Sequence, residues 1–81
     1  MEIRLSRNAE AKLQLPWEGG ASLTAEAVCR ALLETESIEE GPGPLRTAIR
    51  TLDGRRRLRV LFRDEGGALT VVTFYPSRRE S

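Results

Sequence analysis

Two glycine-containing dipeptides divide the second half of the chain into three alternating segments. Asp53-Gly54 and Gly66-Gly67 each separate runs in which apolar and polar residues alternate, which is the pattern of a β-hairpin closed by a two-residue turn. These runs predict strands at about residues 45–52, 57–64 and 69–75, the last one ending at Pro76. Because strands joined by such turns are antiparallel neighbours, the second half should form an antiparallel meander.

The first half carries a short strand and two helices, followed by a further strand. Residues 2–5 alternate polar with apolar side chains and predict one strand, and residues 37–40 predict another. Ser6 and Thr24 are suitable N-caps for helices, the first running to about Leu13. The second helix has an apolar stripe at helical spacing, formed by Ala25, Val28, Cys29, Leu32 and Leu33. The predicted fold is α+β, in the order βααββββ, with two N-terminal helices packed on one face of the antiparallel meander.

A loop is predicted between the two helices, because Pro16 and the Gly19-Gly20 pair interrupt the helical pattern. It contains Trp17, for which packing over the helices is favoured over a role as an exposed anchor. A chain of 81 residues is too short for two independent cores. Residues 1–76 are therefore predicted to form a single domain, with residues 77–81 as a basic tail.

Composition restricts the possible classes of function. The chain has 13 basic and 12 acidic residues, so a net charge of +1 gives no general attraction to nucleic acid. One cysteine and no histidine argue against a disulfide framework, a typical zinc site and imidazole catalysis, and no cofactor is expected. Cys29, in the stripe of the second helix, should pack in the core. No apolar run approaches the roughly 20 residues that cross a bilayer, and the N-terminus lacks the core of a signal peptide, so we expect a cytoplasmic protein.

The predicted register gathers arginines on one face of the meander. Two-residue turns set Arg50 opposite Arg57, and Arg59 opposite Phe74. Since side chains alternate between faces, one face is nearly all apolar and should receive the helices. The other face should carry five arginines around a small apolar centre, namely Arg46, Arg50, Arg57, Arg59 and Arg63 around Leu61, Val72 and Phe74. Twelve of the 13 basic residues are arginine, and side-chain amides are few, a composition typical of a thermophilic or high-GC bacterium.

This arginine cluster has two interpretations. Long arginine side chains are common on the solvent face of a sheet, where their stems cover apolar neighbours. Against this, a like-charged pair such as Arg50 and Arg57 is mildly unfavourable, which suggests that an anionic group completes the face. The candidates are an RNA backbone, an acidic segment of a partner, or the chain's own Glu39-Glu40. Phe74 could then stack on a base or receive an apolar side chain of the partner.

One group of side chains could support catalysis. A phenol and guanidinium groups can assist phosphodiester cleavage, and Tyr75 is closely followed by Arg78 and Arg79. In this interpretation Arg59 or Arg78 stabilises the charge of the transition state. The alternation of side chains along the strand places Tyr75 on the helix side, with its hydroxyl near the edge of the sheet. For Arg78 and Arg79, the alternative interpretation is a solvated tail without a catalytic role.

Four segments together resemble a known superfamily. They are Leu5-Ser6-Arg7-Asn8-Ala9, Leu23-Thr24-Ala25-Glu26-Ala27-Val28 with Ala31-Leu32, Arg57-Leu58-Arg59-Val60-Leu61-Phe62, and Val71-Val72-Thr73-Phe74-Tyr75-Pro76. The chain resembles a branch of small bacterial domains in the RelE/ParE- and BrnT-like toxin superfamily. The resemblance implies an antiparallel sheet with two N-terminal helices, and RNA-cleaving residues on the open sheet face. Histidine often stands at the position of Asn8 in that branch, and this chain departs from the pattern there.

Two functions follow from these predictions. The first is a toxin-like or partner-binding module that uses the arginine-rich face without catalysis. It would bind RNA or the ribosome, an acidic antitoxin-like protein segment, or a second copy of itself, and no membrane. The alternative is an active ribosome-dependent endoribonuclease, the toxin of a toxin-antitoxin pair. A domain retained for stability or regulation is a third possibility.

Overall fold

Five strands form one sheet, and two short helices pack on one of its faces, here called the helix side. The computed structural model describes residues 2–14 and 23–78. The strand order across the sheet is β1-β5-β4-β3-β2. Along the chain the elements are β1 (Glu2–Leu5), α1 (Arg7–Lys12), α2 (Ala25–Leu33), β2 (Ser37–Glu40), β3 (Leu45–Thr51), β4 (Arg56–Glu65) and β5 (Ala68–Arg78). Neither described helix has the length and apolar character needed to cross a membrane.

The predicted antiparallel meander carrying a packed pair of helices is wrong. β1 pairs in parallel with β5, with Glu2 opposite Ala68 and Leu5 opposite Val71, so the sheet is mixed. α1 packs on β5 and β1, whereas α2 packs on β3 and β4. The two turn signals, Asp53-Gly54 and Gly66-Gly67, predict pairing only between strands that are consecutive in the sequence. The pairing of the first strand with the last depends on burial of Ile3 and Leu5 against the core instead.

Both predicted helix caps are confirmed. The hydroxyl of Ser6 accepts a hydrogen bond from the Ala9 amide at 3.1 Å, and the hydroxyl of Thr24 accepts one from the Ala27 amide at 3.1 Å. Each bond satisfies an amide in the first turn that has no partner within the helix. The loop that contains Trp17 lies outside the described residues.

The core lies between the sheet and the two helices. From α2 it takes Val28, Ala31 and Leu32, whereas Leu33 is exposed although the sequence pattern assigned it to the buried stripe. The complete buried cluster is Ala9, Leu23, Val28, Ala31, Leu32, Ala48, Leu58, Val60, Phe62, Val71 and Phe74. Because these residues contact one another in a single cluster, their strand positions identify the helix side of the sheet.

The β3–β4 loop is one residue longer than predicted, and the predicted register of this hairpin is wrong. The Leu52 amide donates to the Arg56 carbonyl at 2.9 Å, which leaves residues 53–55 as the loop. One carboxylate oxygen of Asp53 accepts hydrogen bonds from the amides of Arg55 and Arg56, at 2.8 and 2.9 Å, and so stabilises the longer loop. A shift of one residue exchanges the faces of a strand.

The exchange is visible in the residue pairs. Ala48 stands opposite Val60 and Ile49 opposite Arg59, so Ala48 enters the core and Ile49 lies on the other face. Arg50 stands opposite Leu58 instead of Arg57. The like-charged pair that the sequence suggested therefore does not exist.

The β4–β5 hairpin follows its predicted register only near the turn. Glu65 stands opposite Ala68 and Phe62 opposite Val71, as predicted, but a β-bulge at Leu61/Phe62 then sets Leu61 opposite Thr73. The extra residue in β5 reverses the side-chain alternation beyond it. The Ser6 hydroxyl donates to the Val72 carbonyl at 2.8 Å, and the Lys12 ammonium to the Phe74 carbonyl at 3.3 Å. Side chains at the cap and end of α1 thus satisfy carbonyl groups beside the bulge.

β5 continues through Pro76, the residue at which the sequence pattern predicts its end. Pro76 stands opposite Leu58, and the strand runs on to Arg78. β1 pairs only with residues 68–71 of β5, so the strand has β4 as its sole neighbour at Pro76 among the described residues. A proline is compatible with a strand paired on one side only, because one edge needs no amide donor.

Candidate binding surface

The face of the sheet opposite the helices, here called the helix-free face, carries most of the residues singled out from the sequence. No described helix packs on it. Strand register places on it Leu45, Thr47, Ile49 and Thr51 of β3, Arg57, Arg59, Leu61 and Arg63 of β4, and Thr70, Thr73, Tyr75 and Ser77 of β5. Arg4 of β1 and Glu39 of β2 lie at its two edges.

The five predicted arginines do not share this face. Arg57, Arg59 and Arg63 lie on it, but Arg46 stands opposite Phe62 and Arg50 opposite Leu58, which puts these two on the helix side. The one-residue change in the β3–β4 loop is the cause.

Phe74, predicted to stack on a base or to receive a partner's side chain, lies in the core. It is completely buried on the helix side, opposite Val60. The bulge in β5 turns its ring inward and brings the next residue, Tyr75, to the helix-free face, where the side chain is exposed. The predicted placements of Phe74 outside and Tyr75 on the helix side are therefore both wrong, for one reason.

Four of the five arginines pair with carboxylates of the same chain. Two of the distances are 3.2 Å for Arg59 to Glu39 and 2.7 Å for Arg50 to Glu34. The others are Arg46 to Glu40 at 3.7 Å and Arg63 to Glu65 at 3.3 Å. Of the three anionic groups considered from the sequence, the structure contains the chain's own Glu39-Glu40. Exposed pairs of this kind contribute about 0–1 kcal/mol each, so an external ligand can replace them at low cost.

Arg57 differs from the other four. It has no carboxylate within ion-pair distance in the described part of the chain, and its neighbours across the strands are Thr51 and Ser77. Hydrogen bonds from the Thr51 amide and hydroxyl are the main reason that the pKa of Glu36 is lowered, and the charge of Arg57 is the smallest contribution. The guanidinium of Arg57 therefore has donors available for an external acceptor.

The predicted catalytic residues are only partly brought together. Arg59 and Tyr75 stand directly opposite each other on the helix-free face. The Nε atom of Arg59 also donates to the Ser77 hydroxyl at 3.2 Å. Arg78 stands opposite Arg56, and strand alternation puts both on the helix side. Arg79 lies outside the described residues.

The sequence reasoning missed an apolar centre of different composition. Ile49, expected in the helix-side core, is only 4% exposed on the helix-free face, opposite Arg59. Leu61, two residues after Arg59 on β4, is half-buried on the same face. The available signal was Asp53, because an aspartate at the start of a turn often accepts hydrogen bonds from amides two or three residues later.

A second concave feature lies on the helix side. A cleft of about 350 Å³ separates the first turns of α2 from the end of β3, and its lining includes Thr24, Arg30, Arg50 and Leu52. Both of these arginines pair with Glu34, at 3.5 and 2.7 Å. The hydrogen bond and charge of Arg50 lower the pKa of Glu34. The charges of the cleft are thus matched within the chain.

No protein-family model, curated protein or solved structure matches the chain. The resemblance to the RelE/ParE- and BrnT-like superfamily therefore stays a prediction, and functional inference depends on the geometry of this surface.

Proposed function

We propose that the chain is a non-catalytic binding module that holds an acidic segment of a protein partner on its helix-free face. The observation that carries this proposal is Arg57, the arginine of that face without a carboxylate partner in the described chain. It lies on the same face as Leu61 and the exposed ring of Tyr75. A cation beside apolar and aromatic groups suits a peptide that offers one carboxylate and neighbouring apolar side chains.

The charges of this face favour a protein segment over RNA. Glu2, Glu39 and Glu65 lie on the same face as the arginines, by strand register. An RNA backbone carries a negative charge on every phosphate and would meet these carboxylates as well as the arginines. A protein segment can place a carboxylate at Arg57 and uncharged residues elsewhere. The net charge of +1 and the burial of Phe74 point the same way.

The first test measures binding of a short peptide of alternating aspartate and leucine, compared with a single-stranded oligoribonucleotide. Hydrogen bonds to charged groups contribute about 1.5–3 kcal/mol, so Arg57→Glu should weaken peptide binding by about tenfold or more. The matched control is Arg7→Glu, which makes the same charge change at the exposed start of α1 on the helix side. Circular dichroism establishes that both variants are folded.

Three results would contradict the proposal. Tighter binding of the oligoribonucleotide, with the same sensitivity to Arg57→Glu, would assign the face to RNA. Equal loss of peptide affinity in both variants would indicate general charge attraction. Absence of binding by either probe to the folded chain would remove the helix-free face as a binding surface.

One observation favours a second candidate, the endoribonuclease. Arg59 and Tyr75 are directly opposite each other on an exposed face, and a guanidinium can stabilise a phosphorane-like charge while a phenol assists proton transfer. Induced expression in a bacterial host would then arrest growth with cleavage of RNA. A folded Tyr75→Phe variant would lose both effects. In either function we place the chain in the cytoplasm, where a lone thiol such as Cys29 stays reduced.

A further inference from the structure

The outer edge of β2 pairs with no other described strand and carries the exposed apolar side chain of Ile38. β2 is the last strand of the sheet, and all four of its residues are exposed. Ile38, on β2, is 50% exposed, and Leu33, at the end of α2, is 65% exposed. They are two of the three large apolar residues exposed in the described chain, and Ile38 lies on the helix side of this edge, since it stands opposite the core residue Ala48.

The hydrogen-bonding groups of this edge follow from the pairing with β3. The Gly41 amide donates to the Leu45 carbonyl at 2.9 Å, and Glu39, two residues earlier, stands opposite Thr47. In an antiparallel pair the residues that bond to the neighbour alternate with residues whose amide and carbonyl groups point away. The backbone groups of Ile38 and Glu40 therefore point outward and can pair with an added strand.

The rim of the edge is acidic. No basic residue occurs between Arg30 and Arg46. In each ion pair near β2 the carboxylate is the more exposed member: 80% against 48% for Glu40 and Arg46, and 59% against 27% for Glu39 and Arg59. The arginines approach from inner strands, so a molecule that reaches the edge from outside meets the carboxylates first.

From these three features we infer that the β2 edge binds an extended, basic segment of a partner protein by strand addition. An apolar side chain of that segment would cover Ile38, while lysine or arginine side chains would lie near Glu39 and Glu40. A second copy of this chain is a poor occupant, because pairing of two β2 strands brings four glutamates together. The same glutamates that prevent self-pairing thus select a basic partner. This edge shares Glu39 with the helix-free face but does not include Arg57.

The test uses a short peptide of alternating lysine and valine, with amide chemical shifts measured by nuclear magnetic resonance. We expect saturable changes at Ile38 and Glu40. Methylation of alternate peptide nitrogens in the probe should abolish them, because strand addition needs those donors. Ile38→Thr, which removes the apolar contact without adding a carboxylate that would attract lysine, should weaken binding by about tenfold, and circular dichroism establishes that the variant is folded. Glu10→Gln, which removes an exposed carboxylate of α1 instead, should leave the affinity for this peptide unchanged.

A charge exchange makes the test specific. Glu39→Lys/Glu40→Lys should bind a peptide of alternating glutamate and valine in preference to the lysine peptide. The inference is overturned if the N-methylated peptide binds equally well, if the shift changes lie away from residues 37–40, or if no peptide binds the folded chain. It is also overturned if the free chain forms dimers through residues 37–40, since the occupant would then be a second copy.

Discussion

Tyr75 and Arg59 stand directly opposite each other on the helix-free face, whereas Phe74, one residue earlier, is completely buried on the other side of the sheet. This arrangement depends on one additional residue at the bulge in β5. If the same residues paired regularly from Val71 onward, Phe74 would stand opposite Arg59 and Tyr75 would enter the core. The bulge therefore determines which aromatic group the proposed binding surface presents.

Phe74→Ala should destabilise the fold strongly, and Tyr75→Ala should not. Removal of a fully buried phenylalanine costs about 3–5 kcal/mol, against at most about 1 kcal/mol for a surface residue without a special role. Urea unfolding measures both. Because domains of this size have about 5–15 kcal/mol of stability, the milder Phe74→Leu should also be made. Equal losses for the two positions would contradict the inward orientation of Phe74.

Ser6→Ala should cost more stability than Thr24→Ala. The Ser6 hydroxyl both accepts a hydrogen bond from the Ala9 amide and donates one to the Val72 carbonyl. The Thr24 hydroxyl accepts a single hydrogen bond, from the Ala27 amide, among the described residues. A lost cap costs about 1 kcal/mol, and a second lost hydrogen bond adds about 1 kcal/mol. Denaturant unfolding of the two variants measures the difference. A larger loss for Thr24→Ala would show that the contact with the bulge contributes nothing.

Thr73→Val and Thr51→Val should change stability in opposite directions. The Thr73 hydroxyl is buried without a hydrogen-bond partner among the described residues, and such a group costs about 1–3 kcal/mol. Its replacement by an isosteric methyl should therefore stabilise the fold by about 1 kcal/mol. The Thr51 hydroxyl donates to Glu36 at 3.0 Å, so the same substitution there should destabilise. Thermal unfolding of both variants tests the pair, and a loss of stability in Thr73→Val would contradict the expectation.

Stability should fall in acid because two carboxylates are hydrogen-bonded to backbone amides. The Thr51 amide lowers the pKa of Glu36 below the ordinary 4.5, and the Arg55 amide lowers the pKa of Asp53 below 3.8. A carboxyl whose folded-state pKa is depressed contributes stability that is complete above the unfolded-state value and is lost as the pH falls through the folded-state value. We therefore expect constant stability from these groups at neutral pH and a decline below about pH 4.5.

Glu36→Gln provides the control for this pH dependence. The variant should be less stable than the wild type at pH 7 and should lose less stability between pH 7 and pH 3. Glu10→Gln, at an exposed site on α1, should keep the wild-type acid profile. Urea unfolding across this range measures all three proteins, and identical slopes for Glu36→Gln and wild type would refute the assignment.

Local signals in the sequence were sufficient to predict where the helices and strands lie, but not how the strands pair or which side chains face the core. The caps at Ser6 and Thr24 and the positions of both hairpins could be predicted, because each depends on a few adjacent residues. The parallel pairing of β1 with β5 could not, since it joins residues 66 positions apart, such as Glu2 and Ala68. Long-range pairing is chosen by burial of the complete core, which no short window contains.

The candidate site was mispredicted for a related reason. Strand alternation has a period of two, so one uncounted residue reverses every assignment beyond it. This happened twice, at the Asp53 loop and at the bulge. Arg57, Arg59 and Arg63 kept their common face because all three belong to β4 and alternate within one strand. The predicted faces of Arg46, Arg50 and Phe74 depended on how β3 and β5 pair with β4, and the structure places all three on the opposite face of the sheet.

The bulge makes Val72 a surplus residue, because regular pairing of this part of β5 with β4 needs one residue fewer. Replacing Val72 by another residue suited to a strand would leave both sides of the sheet as they are. Deleting it would restore regular pairing and leave Phe74 opposite Val60 and Tyr75 opposite Arg59. A lineage descended from this chain could therefore lose the codon for Val72 and still keep Phe74 inside the protein and Tyr75 at its surface.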